Sequence, residues 1–125
     1  MNFGPFPQMD AAEVPEDALL LDVREDDEWA AGHADGALHI PLGEVIDRLS
    51  EIIERAGATP DTPGGEPGTP VRRVHVICRV GGRSAQVTQY LLQQGLDAVN
   101  VDGGMLAWEQ AGRPLVGEAQ PPYIR

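Results

Sequence analysis

Three short apolar runs punctuate the chain. "DALLLDVRE" (Asp17 to Glu25), "VRRVHVIC" (Val71 to Cys78) and "DAVNV" (Asp97 to Val101) are rich in Leu, Val and Ile, bounded by charge, and of strand length. They read as buried parallel strands. Between the first two, Leu42, Val45, Ile46, Leu49, Ile52 and Ile53 recur at three- and four-residue steps, which predicts one amphipathic helix stopping near Gly57. Val87, Tyr90 and Leu91 repeat that spacing in a second helix, which begins about Ser84 and ends at Gly95. "MLAWEQAG", entered through the turn-forming "DGG" of Asp102 to Gly104, predicts a third, shorter helix. Strands that alternate with helices imply an α/β domain with a mainly parallel sheet. Such sheets bind ligands outside the carboxyl ends of their strands, where the strand running into Cys78 delivers its last residue.

The intervening "GATPDTPGGEPGTP" (Gly57 to Pro70) has the Pro/Gly density of a surface loop, and no catalytic role is assigned to it. The ends, "MNFGPFP" and "AQPPYIR", read as irregular, with Phe3, Phe6 and Tyr123 available to pack on the domain. At 125 residues the expectation is one domain, 1–125, large enough to bury a core without disulfides or a structural metal.

Charge narrows the partners. Twenty acidic side chains against nine basic ones give a formal charge of −11, which would repel nucleic acid and anionic membrane surfaces. The opening "MNFGPFPQMD" lacks the basic and apolar regions of a leader, and no apolar run is long enough to span a bilayer, so a soluble cytoplasmic protein is expected. One cysteine cannot form an internal disulfide, which suits a reducing compartment and leaves the thiol free for chemistry.

That cysteine sits in "CRVGGRS". Gly81 and Gly82 allow a tight backbone curl that can turn successive N–H groups inward. The helix start near Ser84 and the cations of Arg79 and Arg83 add positive potential around the sulfur, the surroundings a nucleophilic or anion-facing cysteine requires. A buried strand-end cysteine beside an ordinary glycine turn is the structural alternative. His33, His39 and His75 do not make a metal site with it, because zinc needs three or four converging ligands and the one thiol is committed elsewhere. No metal and no cofactor is expected. Trp29 and Trp108 are packing residues on this reading.

"LLDVREDDEWAAGHADGALHIPL" (Leu20 to Leu42), "CRVGGRS" (Cys78 to Ser84) and "DGGMLAW" (Asp102 to Trp108) resemble, in that order, the motifs of single-domain rhodanese-like sulfurtransferases, over about Val14 to Pro114. The resemblance implies a five-stranded, mainly parallel sheet flanked by helices, and a cysteine at Cys78 that accepts a sulfane sulfur, becomes a persulfide and passes the sulfur on. It also implies a cradle of backbone amides contributed by Arg79, Val80, Gly81, Gly82, Arg83 and Ser84. Cys78 and Arg83 stand in C-x4-R spacing, whereas related phosphatases of the dual-specificity cell-cycle type use a loop one residue longer. His33 resembles the family's Gly-His turn and is expected to tie a loop.

Asp22 and Arg24 end the first apolar run and are expected at the same sheet edge as Cys78, with Asp22 paired to Arg79 by analogy with the family's acid–arginine pair beneath the loop. Glu28 is expected either to pair with Arg83 or to lie on a solvated acidic helix face. The leading function is an enzyme that moves sulfur from a small anionic donor such as thiosulfate to cyanide or a cellular thiol. A non-enzymatic persulfide carrier or regulatory interaction module on the same fold is the alternative, and phosphatase or arsenate reductase chemistry is disfavoured by the shorter loop.

Overall fold

A computed structural model describes residues 7–57 and 71–125. Five strands form one parallel sheet: β1 (Gln8–Asp10), β2 (Leu19–Asp22), β3 (Leu38–His39), β4 (Val74–Ile77) and β5 (Ala98–Asp102), in the spatial order β1-β5-β4-β2-β3. Helices α1 (Asp26–Ala31), α2 (Leu49–Ala56), α3 (Gly82–Gln93) and α4 (Gly104–Gln110) connect and cover them. The three apolar runs became β2, β4 and β5, the central strands, and every residue of β2 and β4 is buried. Burial on both faces explains why these runs are continuously apolar rather than alternating.

The pleat sends neighbouring residues of β4 to opposite faces. Val74, Val76 and Cys78 join Ile52, Val87 and Leu91 in one core beneath α2 and α3, while Ile77 joins Leu20, Val101, Met105 and Trp108 in the other, against α4. Each fully buried Leu, Ile or Val contributes roughly 1.5–3 kcal/mol, so these two cores fix the sheet on which the site is built. Strand β4 pairs with β2 from Leu19↔Val74 to Asp22↔Ile77, which brings Asp22 to the same edge as Cys78. The α/β class, the parallel sheet and the five strands are therefore as expected, although β1 and β3, of three and two residues, are too short to leave a pattern.

The single helix predicted over Leu42 to Gly57 is interrupted. Leu42–Glu44 form a 3-10 turn, and α2 starts only at Leu49 because Arg48, at φ −108° and ψ 19°, leaves the helical region. The Leu42 amide is engaged by the Val23 carbonyl at 3.1 Å, which ties this segment to the sheet before a helix can start. Ile46, counted on the apolar face, is consequently 71 % exposed, while Val45, Ile52 and Ile53 are buried. The predicted stop is observed: Gly57 adopts φ 79° at the C-cap. At the carboxyl end Tyr123 stays half exposed and Ile124 packs into the α4 core in its place. Phe3, Phe6 and all but the first residue of the Pro/Gly segment lie outside the described residues. Among the described residues no helix is long and apolar enough to cross a membrane.

Candidate active site

Cys78 follows β4 directly and begins the loop that enters α3. Its side chain is 1 % exposed. Two groups reach the sulfur: the Gly81 amide donates to Sγ at 3.1 Å, and the Ser84 hydroxyl lies 3.2 Å from it. Gly81 makes this approach at φ 112°, a conformation that side chains disfavour, and there it forms the N-cap of α3. The helix starts at Gly82, two residues earlier than predicted, so Ser84 lies in its first turn, fully buried, and Thr88 Oγ1 donates to the Ser84 carbonyl at 2.8 Å.

The loop rests on β5 and α4. The Met105 and Leu106 amides, at the start of α4, donate to the carbonyls of Cys78 (2.8 Å) and Arg79 (3.1 Å). Here a glycine is required: a Cβ on Gly104 would lie 2.4 Å from the Cys78 carbonyl oxygen, and Gly104 also has φ 57°. Asn100, a buried polar residue among the apolar positions of β5, donates from Nδ2 to the Gly81 carbonyl at 3.3 Å. Both Gly104 and Asn100 escaped the sequence reading as supports of the loop. The one signal for Asn100 is an amide inside an apolar strand.

Asp22 is paired with Arg24, not with Arg79. Both carboxylate oxygens are taken by the Arg24 guanidinium, Nε to Oδ1 at 3.0 Å and Nη2 to Oδ2 at 2.8 Å, and both side chains are 0 % exposed. A buried guanidinium must have its charge matched and its remaining N–H groups satisfied, and Arg24 also donates to the carbonyls of Glu28 (3.3 Å) and Gly32 (2.8 Å). Arg79 is exposed, can leave its charge in water, and donates from Nε to the Arg125 main-chain oxygen at 3.2 Å. Asp22 and Arg24 thus lie under α1 and hold it to the end of β2.

Glu28, on α1, meets Arg83 in a two-point ion pair at 2.7 and 2.9 Å. The hydrogen bonds from Arg83 hold the Glu28 carboxyl below its usual range against the opposing effect of burial, and Glu28 in turn raises Arg83. A capping box between Glu25 and Glu28 fixes the first turn of α1. The chain of contacts therefore runs from Asp22 through Arg24 and α1 to Glu28, Arg83 and the sulfur loop. One consequence changes the electrostatics expected from sequence: the charge of Arg83 is already matched, so Arg79 is the loop guanidinium without a carboxylate side-chain partner among the described residues.

His33 ties a loop, as its Gly-His turn suggested. Its Nδ1–H donates to the Trp29 carbonyl at 2.7 Å, and its backbone bridges to Val116. Trp29 stacks with the rings of both His33 and His39, at centroid distances of 3.5 and 4.6 Å. Among the described residues no three His, Cys, Asp or Glu side chains converge as a metal site. A concavity of about 580 Å³ opens at the amino ends of the strands beside Leu19, Ala34, Arg72 and Arg113, and Cys78 is not part of its lining. In the loop a thiol, a donating amide and a hydroxyl converge at a strand's carboxyl end, the edge at which parallel sheets bind ligands.

Comparison with known proteins identifies the family. The sequence profile of the rhodanese-like domain matches residues 8–111. A sulfurtransferase of Allochromatium vinosum is 37 % identical over 102 residues, 81 % of this chain and 80 % of that protein, and YtwF of Bacillus subtilis is 36 % identical over 102 residues, 82 % and 84 % of the two chains. The crystal structure of a rhodanese-related protein from Thermoplasma volcanium superposes with a TM-score of 0.71 at 31 % identity, over 89 % of this chain and 98 % of that one. Fold, ordered motifs and the cysteine loop converge, and the chain belongs to the rhodanese-like family of sulfurtransferases.

Proposed function

We propose that the protein transfers a sulfane sulfur from a small anionic donor such as thiosulfate, through a persulfide on Cys78, to cyanide or a cellular thiol. The observation that carries this reading is the Gly81 N–H and Ser84 hydroxyl focused on Sγ within a C-x4-R loop. In the first half-reaction the Cys78 thiolate attacks the outer sulfur of thiosulfate, the new S–S bond forms as the old one breaks, and sulfite leaves with its electron pair. In the second, cyanide or a thiolate attacks the outer sulfur of the persulfide and Cys78 departs as thiolate. No electrons enter or leave the pair of steps.

The amides from Arg79 to Ser84 serve as the cradle for the outer sulfur, which the S–S bond carries about 2 Å beyond Sγ. Arg79 receives the donor's negative charge, and Asp22, Arg24 and Glu28 act as supports rather than as reacting groups. The lone cysteine favours a reducing, cytoplasmic setting, and the persulfide has no second thiol in the chain with which to form a disulfide. The test is turnover: thiocyanate should form continuously from thiosulfate and cyanide with the native protein and not with Cys78→Ser. An aryl phosphate should remain intact. Activity of Cys78→Ser equal to that of the native protein would overturn the reading, and a persulfide that loads once without turning over would replace it with the carrier.

A further inference from the structure

The family profile ends at residue 111, yet the described chain continues to Arg125 in a defined course along α1. The Val116 and His33 backbones exchange hydrogen bonds at 2.8 Å in both directions. The Glu118 amide donates to the Ala30 carbonyl at 2.7 Å and the Tyr123 amide to the Ala31 carbonyl at 3.1 Å. Two glycines make room for this contact: a Cβ on Gly32 would meet the Tyr123 backbone at 2.4 Å, and one on Gly117 would lie 2.9 Å from the Ala31 carbonyl oxygen. Ile124 is 9 % exposed in the core shared with Trp108. The segment is therefore a strap seated on the helix that carries Glu28.

The strap's last residue reaches the sulfur loop. Arg125 Nε pairs with Asp27 Oδ2 on α1 at 3.2 Å, and the Arg125 main-chain oxygen accepts from Arg79 Nε, also at 3.2 Å. Using Nε in this way fixes the plane of the guanidinium, and its two terminal nitrogens, which have no partner among the described residues, can then take an oxyanion. Because Glu28 already matches Arg83, Arg79 is the loop cation left without a carboxylate side-chain partner among the described residues.

We propose that Asp27 and Arg125 are positioning residues for donor capture: the strap delivers the Arg125 main-chain oxygen to the loop, where it sets the Arg79 guanidinium to receive an anionic sulfur donor. The proposal rests on the sulfur-transfer reading above. Asp27 and Arg125 are more than half exposed, so replacing either leaves both cores intact.

The experiment separates the two half-reactions on the full chain. Loading of Cys78 is followed by intact mass against thiosulfate concentration, and discharge of the loaded protein is followed with 2-mercaptoethanol, a thiol uncharged at neutral pH. Exposed pairs and hydrogen bonds of this kind are modest, so Asp27→Asn and Arg125→Ala should each raise the half-saturating thiosulfate concentration about 2- to 5-fold and leave discharge unchanged. Arg125→Lys, which can still reach Asp27, should restore most of the loss. Added to Arg79→Ala, Asp27→Asn should have no further effect, since the cation it orients is gone. Unchanged loading, equal slowing of both half-reactions, or additive effects in the double variant would each overturn the positioning role. If the native protein itself fails to load, the sulfur-transfer reading falls first and the inference with it.

Discussion

Replacing Glu28 by glutamine tests the link between α1 and the sulfur loop. Arg83 and Glu28 share two hydrogen bonds, at 2.7 and 2.9 Å, with side chains 31 % and 14 % exposed. A fully exposed ion pair contributes about 0.2–1 kcal/mol and a hydrogen bond to a charged group about 1.5–3 kcal/mol, so a partly buried two-point pair contributes about 1–2 kcal/mol. Glutamine keeps one oxygen for Arg83 or for the Glu25 amide and forfeits roughly 1 kcal/mol of this. In a domain of this size that lowers the melting temperature by about 4 °C at neutral pH. The pH dependence supplies the sharper check. Arg83 depresses the Glu28 carboxyl below its ordinary value of 4.5, so the contribution is fully present above pH 4.5 and is lost as pH falls through the lower, folded value. Thermal melts of native protein and Glu28→Gln should therefore differ at pH 7 and converge in acid. A constant difference across that range, or none at pH 7, would refute the reasoning.

Two further substitutions probe the support of the loop and the core. Gly104→Ala would place a Cβ 2.4 Å from the Cys78 carbonyl oxygen at φ 57°, so it should destabilise the fold by at least about 1–3 kcal/mol in denaturant melts and slow persulfide loading together. His75 is buried with Nδ1 unpartnered among the described residues, and burial holds it below its ordinary value of 6.5. The native protein should then lose stability as pH falls below about 6.5, because the unfolded chain takes up the proton first. His75→Phe should flatten that slope, and an unchanged slope in urea titrations would remove His75 as its source.

The central strands were legible because burial on both faces leaves runs of Leu, Val and Ile, and the loop was legible because glycines, arginines and a thiol occur together at a strand's end. Other features left no such trace. Asp22 pairs with Arg24 and not with Arg79 because the Arg24 guanidinium is buried and needs a matching charge, whereas Arg79 is exposed to water, and the sequence pattern does not show which arginine is buried. Ile46 kept the helical spacing but lost its helix to the tie between Leu42 and Val23, a tertiary contact that periodicity does not encode. The strap is irregular and Pro-rich, and its docking depends on gaps left by Gly32 and Gly117 that only the folded backbone reveals. The alternatives weighed for Glu28 were resolved by packing, since α1 lies close enough to the loop for the carboxylate to reach Arg83.

The most direct test of the account is the mass of the intact protein after thiosulfate and again after cyanide. Cys78 is the one thiol in the chain, so thiosulfate should add a single sulfur atom, cyanide should remove it as thiocyanate, and Cys78→Ser should show neither change. A native protein whose mass never moves, or a sulfur adduct retained by Cys78→Ser, would contradict a persulfide at Cys78.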